Sequence, residues 1–161
     1  MGLEVERKFL VRSDEWRVLG KPVLMRQGYL CELPERVVRV RVAGDRGWLT
    51  VKGISIGPSR LEFEYAIPAR DAADLLDGFC ERPIIEKRRT RIPAGPLTWE
   101  VDEFLGENAG LVVAEMELPH VDHPFPLPAW IGEEVTGDPR YFNSRLRLHP
   151  FSQWAAKPLS P

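Results

Sequence analysis

Histidine and cysteine are scarce in this chain: three histidines and two cysteines among 161 residues. Cys31 and Cys80 cannot build a disulfide framework, and they read as two reduced side chains in ordinary packing. His120 and His123 stand at a His-x-x-His spacing, but Pro119 and Pro124 flank them and no third ligand follows, so they read as a surface loop. No apolar run approaches the ~20 residues of a membrane span, and the N-terminus is charged within four residues. This excludes a transmembrane helix and a signal peptide, and makes the cytoplasm the expected location. Charge of one sign is not in excess either. Lys plus Arg is 22 against 24 for Asp plus Glu, a net charge of −2, which argues against a general nucleic-acid binder. Walker A, GxGxxG and HExxH motifs are missing, and no serine has a histidine in a triad arrangement.

The residues that are present describe a globular chain, 43% hydrophobic and 29% charged, with the length of one domain over 1–161. Its 15 prolines are about twice the number expected from an average share of ~5%, and they crowd the last third. Regular scaffold is therefore expected over about 3–118, and wrapped, irregular chain over about 119–155. Period-2 alternation marks strands at Leu3–Val11, Val37–Val42, Trp48–Lys52, Arg60–Ile67, Ile85–Ile92, Thr98–Phe104 and Leu111–Leu118, with a weaker eighth at Leu24–Leu33. The short Gly- and Pro-containing turns between them favour antiparallel neighbours. In Asp71–Cys80, Ala72, Leu75, Leu76 and Phe79 form one helical stripe. Shorter helices are expected at Asp14–Val18 and Asn143–Leu148.

Strand side chains alternate between two faces, and here the faces sort sharply. One carries eight acids (Glu4, Glu6, Glu62, Glu64, Glu100, Asp102, Glu115, Glu117) and eight bases (Lys8, Arg39, Arg41, Lys52, Arg60, Lys87, Arg89, Arg91). The other carries Val5, Phe9, Val40, Leu49, Phe63, Trp99, Val101 and Met116. Only Ile85–Ile92 breaks the rule, with Glu86, Arg88 and Thr90 on its second face, which implies a partly exposed position there. An open sheet with one wet face would account for one such strand, but a solvated face normally mixes Thr, Ser and Gln with scattered charge. Eight strands suffice to close a barrel. With the helix stripe on the apolar face, the charged face lines the bore, and Trp16, Trp99, Trp130 and Trp154 pack outside. So many enclosed ions are costly unless paired or bound to something charged. Arginine and lysine suit phosphate oxygens, and clustered carboxylates suit Mg²⁺ or Mn²⁺. Together they describe a metal–polyphosphate site.

Glu4-Val5-Glu6-Arg7-Lys8 resembles the ExExK signature of the CYTH superfamily, the triphosphate tunnel metalloenzymes. Arg26-Gln27-Gly28-Tyr29-Leu30, Val38-Arg39-Val40-Arg41, Leu49-Thr50-Val51-Lys52-Gly53 and Arg60-Leu61-Glu62-Phe63-Glu64-Tyr65 follow in the family's order. So do Glu86-Lys87-Arg88-Arg89, Trp99-Glu100-Val101-Asp102, Ala114-Glu115-Met116-Glu117-Leu118 and Glu134-Val135-Thr136-Gly137-Asp138. The resemblance covers roughly 3–155 and is greatest to short bacterial single-domain members. It implies a mainly β (α+β) fold, a closed eight-stranded antiparallel β-barrel forming a charged tunnel with a few covering helices.

The activity implied is metal-dependent hydrolysis of inorganic triphosphate, with Mg²⁺ or Mn²⁺ and two ions during turnover. The alternatives are an adenylyl cyclase, another nucleoside or thiamine triphosphate-processing enzyme, or a non-catalytic polyphosphate-binding module. By resemblance, Glu4, Glu6, Glu62, Glu64, Asp102, Glu115 and Glu117 bind metal. Lys8, Arg39, Arg41, Lys52, Arg60, Lys87 and Arg89 hold phosphate oxygens, and Lys8 and Tyr29 position or deprotonate water. Tyr141-Phe142-Asn143-Ser144-Arg145-Leu146 resembles a helix that plugs one tunnel end, although Arg145 and Arg147 stand where smaller or apolar residues are expected. The expected partners are a small-molecule triphosphate or nucleotide and at most a second copy of the chain, with no nucleic acid or membrane.

Overall fold

A computed structural model describes residues 2–158. The strands are β1 Gly2–Val11, β2 Pro22–Leu33, β3 Arg36–Ala43, β4 Arg46–Gly53, β5 Ser59–Pro68, β6 Ile85–Ala94, β7 Leu97–Phe104, β8 Val112–Glu117 and β9 Ile131–Glu134. Helix α1 spans Ala69–Gly78 and α2 spans Asn143–Leu148, while Glu15–Val18 is a single 3₁₀ turn. The strands run in the order β5-β4-β3-β2-β6-β7-β8-β1, and β1 pairs back onto β5. This closes the expected ring of eight, antiparallel at every pairing. Two tight hairpins start on glycines in the left-handed region, Gly44 at φ 61° and Gly95 at φ 63°, where other residues would be strained.

The ninth strand was not expected. β9 lies outside the ring on the edge of β1, at Phe9 and Val11, beyond the stretch Gly2–Val5 that pairs with β5. β1 therefore serves β8 on one edge and β5 then β9 on the other. With only four residues and prolines upstream, β9 has too few positions to show alternation. Its partner fixes it instead: Arg7, pointing out of the barrel, donates to both carboxylate oxygens of Glu134.

Two layers cover the outer face. Ala72 and Leu76 of α1, both at 0% exposure, pack with Val40 and Cys80 over β3 and β4. Truncating Leu76 would cost about 2–5 kcal/mol. Gly28 on β2 permits the approach, since a Cβ there would sit 2.9 Å from the Cβ of Cys80. Phe79 is a correction to the expected stripe: the helix ends at Gly78, and Phe79 lies 73% exposed. Over β1, β7 and β8 the cover is the proline-rich chain rather than helices. There Trp99, edge-on to Phe9, Phe125 and Trp130 at 5.6–5.7 Å, anchors a core with Val5, Met116 and Trp16. Leu24, opposite Arg88 on β6, stays about half exposed, consistent with the uncovered wall implied by Glu86 and Arg88.

The bore changes character along its length. Continuing the inward positions past the charged residues leads to Leu10, Ile85, Phe104 and Val113, which form an apolar cluster with Val135, Tyr141 and Leu146. Burying this cluster seats α2 across one end of the barrel. The plug is thus built from hydrophobic contact, and Arg145 and Arg147 do not oppose it. Arg145 faces outward, while the buried Arg147 reaches sideways to Glu32 of β2 and to Glu81 after α1.

Candidate active site

Between the plug and the open end lies a cavity of about 270 Å³, lined almost wholly by charged side chains. Phe142, Asn143 and Ser144 form its floor at the start of α2. Glu4, Glu6 and Lys8 enter from β1, and Glu115 and Glu117 from β8. Arg39 and Arg41 come from β3, Lys52 from β4, Arg60, Glu62 and Glu64 from β5, and Lys87 and Arg89 from β6. All the residues read from the sequence as site residues therefore meet at one cavity except Asp102 and Tyr29.

Asp102 is fully buried behind the wall. Its Oδ1 accepts from Arg89 Nε at 2.7 Å, and its Oδ2 accepts from Arg89 Nη2 at 2.8 Å and Lys87 Nζ at 2.7 Å. Both oxygens accept from cations, and the carboxylate, 0% exposed, does not line the cavity. Tyr29 sits under the plug, with its hydroxyl accepting from Gln27 Nε2 at 3.2 Å, and burial raises its pKa despite Arg39 and Arg41. Among the described residues it makes no hydrogen bond with Lys8. Lys8 Nζ instead lies 3.5 Å from Glu115 Oε1 and 3.4 Å from the carbonyl of Tyr141. Burial disfavours its charge, but Glu115 and Glu6 outweigh burial and raise its pKa, so Lys8 is a cation rather than a base.

The basic wall is short of counter-ions. Arg41, 9% exposed, makes no ion pair among the described residues; its only side-chain acceptor is the neutral Oε1 of Gln27, at 3.0 and 3.1 Å. Burial, then Arg39 and Arg89, push its pKa down to about 9. Lys87 falls to about 7 because burial, Arg89 and Arg41 outweigh Asp102, whose charge Arg89 already holds. Arg39 Nε is buried without a hydrogen-bond partner. Such a cluster of desolvated cations is unfavourable until an anion enters.

The acidic wall is the mirror case. Glu4 pairs with Lys52 at 3.1 Å, yet its Oε2 lies off-axis and lacks a hydrogen bond. Burial and Glu115 raise Glu6 well above the usual carboxyl range, and burial with Glu4 and Glu100 raises Glu117. Glu115 goes the other way, because Lys8 and Arg89 overcome its burial. Glu62 is held by Lys52, and Glu64 by Thr50 and Arg39. Among the described residues, no three carboxylates or imidazoles converge into a ready-made metal cage. The donors nevertheless fit a hard divalent cation: oxygen ligands on adjacent strands, with one orphaned oxygen and two carboxyls whose charge is suppressed.

Two residues of consequence escaped the sequence reading. Gln27 and Asn143 carry no charge, so the sorting by face gave them no weight. Asn143 Oδ1 accepts from Lys87 Nζ at 2.7 Å and from Gln27 Nε2 at 2.8 Å.

A closed antiparallel barrel with apolar side chains outside and an ionic cavity within defines a class of tunnel-shaped anion-handling proteins. The chain belongs to the CYTH domain family, which it matches over residues 2–142. It is 54% identical to an inorganic triphosphatase of Acetivibrio thermocellus over 96% of this chain and 99% of that protein. It is 37% identical to an inorganic triphosphatase of Nitrosomonas europaea over 90% of this chain and 97% of that one. A crystal structure of an inorganic triphosphatase superposes with a TM-score of 0.60 at 33% identity, covering 90% of this chain and 94% of the other. No helix among the described residues is long and apolar enough to cross a membrane.

Proposed function

We propose that this protein hydrolyses inorganic triphosphate to pyrophosphate and orthophosphate with a divalent cation, Mg²⁺ or Mn²⁺. The observation that carries this reading is the opposition, in one cavity, of the buried Arg41 guanidinium, which has no carboxylate partner among the described residues, and the clustered carboxyls of Glu4, Glu6, Glu115 and Glu117, of which burial and neighbouring acids raise the pKa of Glu6 and Glu117. A cation-loaded triphosphate relieves both walls at once. The volume of about 270 Å³ lies below the roughly 300–1,000 Å³ typical of drug-sized ligands, which suits a small inorganic anion. The names of the two relatives agree with it.

Arg39, Arg41, Lys52, Arg60, Lys87 and Arg89 hold the phosphate oxygens and align the chain along the bore. The protonated Lys8, near the floor, donates to a terminal phosphate oxygen or to the attacking water. That water's oxygen bonds to a terminal phosphorus as the anhydride P–O bond breaks, pyrophosphate departs as the leaving group, and the water's proton passes to a phosphate oxygen. Glu4, Glu6, Glu115 and Glu117 would hold the cation, with Glu62 and Glu64 beside them. When bound, a divalent cation neutralises phosphate oxygens and lowers the pKa of the attacking water. We assign Asp102 to fixing Arg89 and Lys87 rather than to the metal, and Tyr29 to the packing under the plug rather than to proton transfer.

One feature favours a second reading. Next to Arg41 and Arg89 is a wider vestibule of about 580 Å³, where Val23, Met25 and Trp48 stand beside Lys21 and Arg46. A nucleoside triphosphate could rest its base there. Phosphate release from triphosphate, ATP, thiamine triphosphate and pyrophosphate with each metal decides between them. Preferred turnover of triphosphate, lost in EDTA and in Glu6→Gln, supports the first reading. Preferred turnover of ATP supports the second, and full activity in EDTA overturns both.

A further inference from the structure

Gln27 is completely buried, at 0% exposure, and every polar atom of its side chain is used. Its Oε1 accepts from Arg41 Nε at 3.1 Å and Nη2 at 3.0 Å, and its Nε2 donates to Asn143 Oδ1 and to Tyr29. Asn143 Oδ1 in turn accepts from Lys87. Arginine and lysine are donors only, so the orientation of both amides is forced from the two ends. The oxygen of Gln27 must face Arg41, its nitrogen must face Asn143, and the oxygen of Asn143 must face Lys87. This leaves the Asn143 Nδ2 group, with no protein partner among the described residues, at the cavity floor.

The neighbouring cations are held differently. Arg89 is fixed by the carboxylate of Asp102, Lys52 by Glu4, and Arg39 by Glu64. An ion pair immobilises a guanidinium but cancels its charge, whereas an amide immobilises it and leaves the charge in place. Resting on the reading of the cavity as a triphosphate site, we propose that Gln27 is a positioning residue. It aims Arg41 directly and leaves that charge unpaired for the substrate's phosphate oxygens, and through Asn143 it orients Lys87, which Asp102 also holds. It also ties the plug to the phosphate-binding wall, because Asn143 opens α2.

The test is binding of inorganic triphosphate to metal-free protein, in EDTA, by calorimetry, for wild type, Gln27→Glu and Gln27→Met. Gln27→Glu keeps the shape and adds a carboxylate to Arg41, and it is expected to bind triphosphate at least tenfold more weakly with an unchanged melting temperature or a higher one. Gln27→Met keeps the volume and the charge on Arg41 but frees its guanidinium. It is expected to bind within about threefold of wild type and to lose tenfold or more in kcat. Wild-type binding by Gln27→Glu overturns the proposal. Should that variant not fold, wild-type kcat in Gln27→Met overturns it equally, because a residue that only fills space would tolerate methionine. Failure of the wild type itself to bind triphosphate would instead sink the functional reading.

Discussion

Asp102 grips Arg89 with both carboxylate oxygens, at 2.7 and 2.8 Å, in a position sealed from solvent, and it shares the second oxygen with Lys87. It is the pivot of the basic wall, and the roles of several neighbours can be tested through it.

Asp102→Asn removes the negative charge and leaves two buried cations unbalanced. Breaking one side of a buried ion pair typically costs about 3–5 kcal/mol, so a loss of that order is expected in denaturant unfolding. Affinity for Mn²⁺ should remain within about threefold of wild type at a temperature where the variant is folded. A metal ligand at Asp102 would instead lower Mn²⁺ affinity as strongly as Glu4→Gln.

Arg41 presents the opposite situation, a buried charge with no counter-ion among the described residues. Arg41→Met removes that burden but orphans the buried Oε1 of Gln27, so the two effects offset and stability is expected to stay within about 1 kcal/mol of wild type. Triphosphate binding should fall by tenfold or more. Thermal melts and calorimetry on the same preparation check the pair of outcomes, and a stability loss above that figure would mean Arg41 holds the fold together.

Arg147 is buried between Glu32 and Glu81, with a further bond from Nη1 to the carbonyl of Arg82. Arg147→Ala strands the mostly buried Glu32 carboxylate, and about 3 kcal/mol of destabilisation is expected. The loss should be local at first. Amides of α2 are expected to exchange with solvent faster before those of β7 and β8 do, and simultaneous acceleration throughout the barrel would argue against a local latch.

Glu134 is half-exposed, and its hydrogen bonds from Arg7 hold its pKa below the ordinary carboxyl value despite some burial. A carboxyl lowered in the folded state contributes stability that is complete above its unfolded pKa, near 4.5, and is lost as pH falls through the folded value. Solvent screening keeps this contribution to no more than about 1 kcal/mol. Arg7→Ala should therefore destabilise the protein slightly at pH 7 and not at pH 3, as read by urea midpoints at both values. A penalty that persisted at pH 3 would mean that Arg7 acts through packing on Phe9 and Phe125.

The ring of eight strands was legible because period-2 alternation survives closure of the sheet: Glu4, Glu6 and Lys8 must share a face whatever lies around them. The same sorting collected the cavity residues from β1, β3, β4, β5, β6 and β8. It failed for Asp102 and Tyr29 because parity gives the side of the sheet and not the height along the bore or the partner reached. Asp102 faces inward yet is capped by Arg89, and Tyr29 is buried beside Gln27, outside the cavity lining. A signal for that turn was present in Leu10, Ile85, Phe104 and Val113, apolar residues at positions that should be charged. Gln27 and Asn143 left no mark, since an amide's importance depends on which donors face it.

β1 is bonded to β5, β8 and β9, so the strand that comes earliest in the chain is completed by segments from its middle and its last third. During synthesis its edges close in stages, against β5, then β8 and last β9, so part of β1 stays unpaired until residues through Glu134 have been made. Such long-range closure slows folding, and it leaves the bare edges of β1 as the place where a nascent chain would first stick to its neighbours.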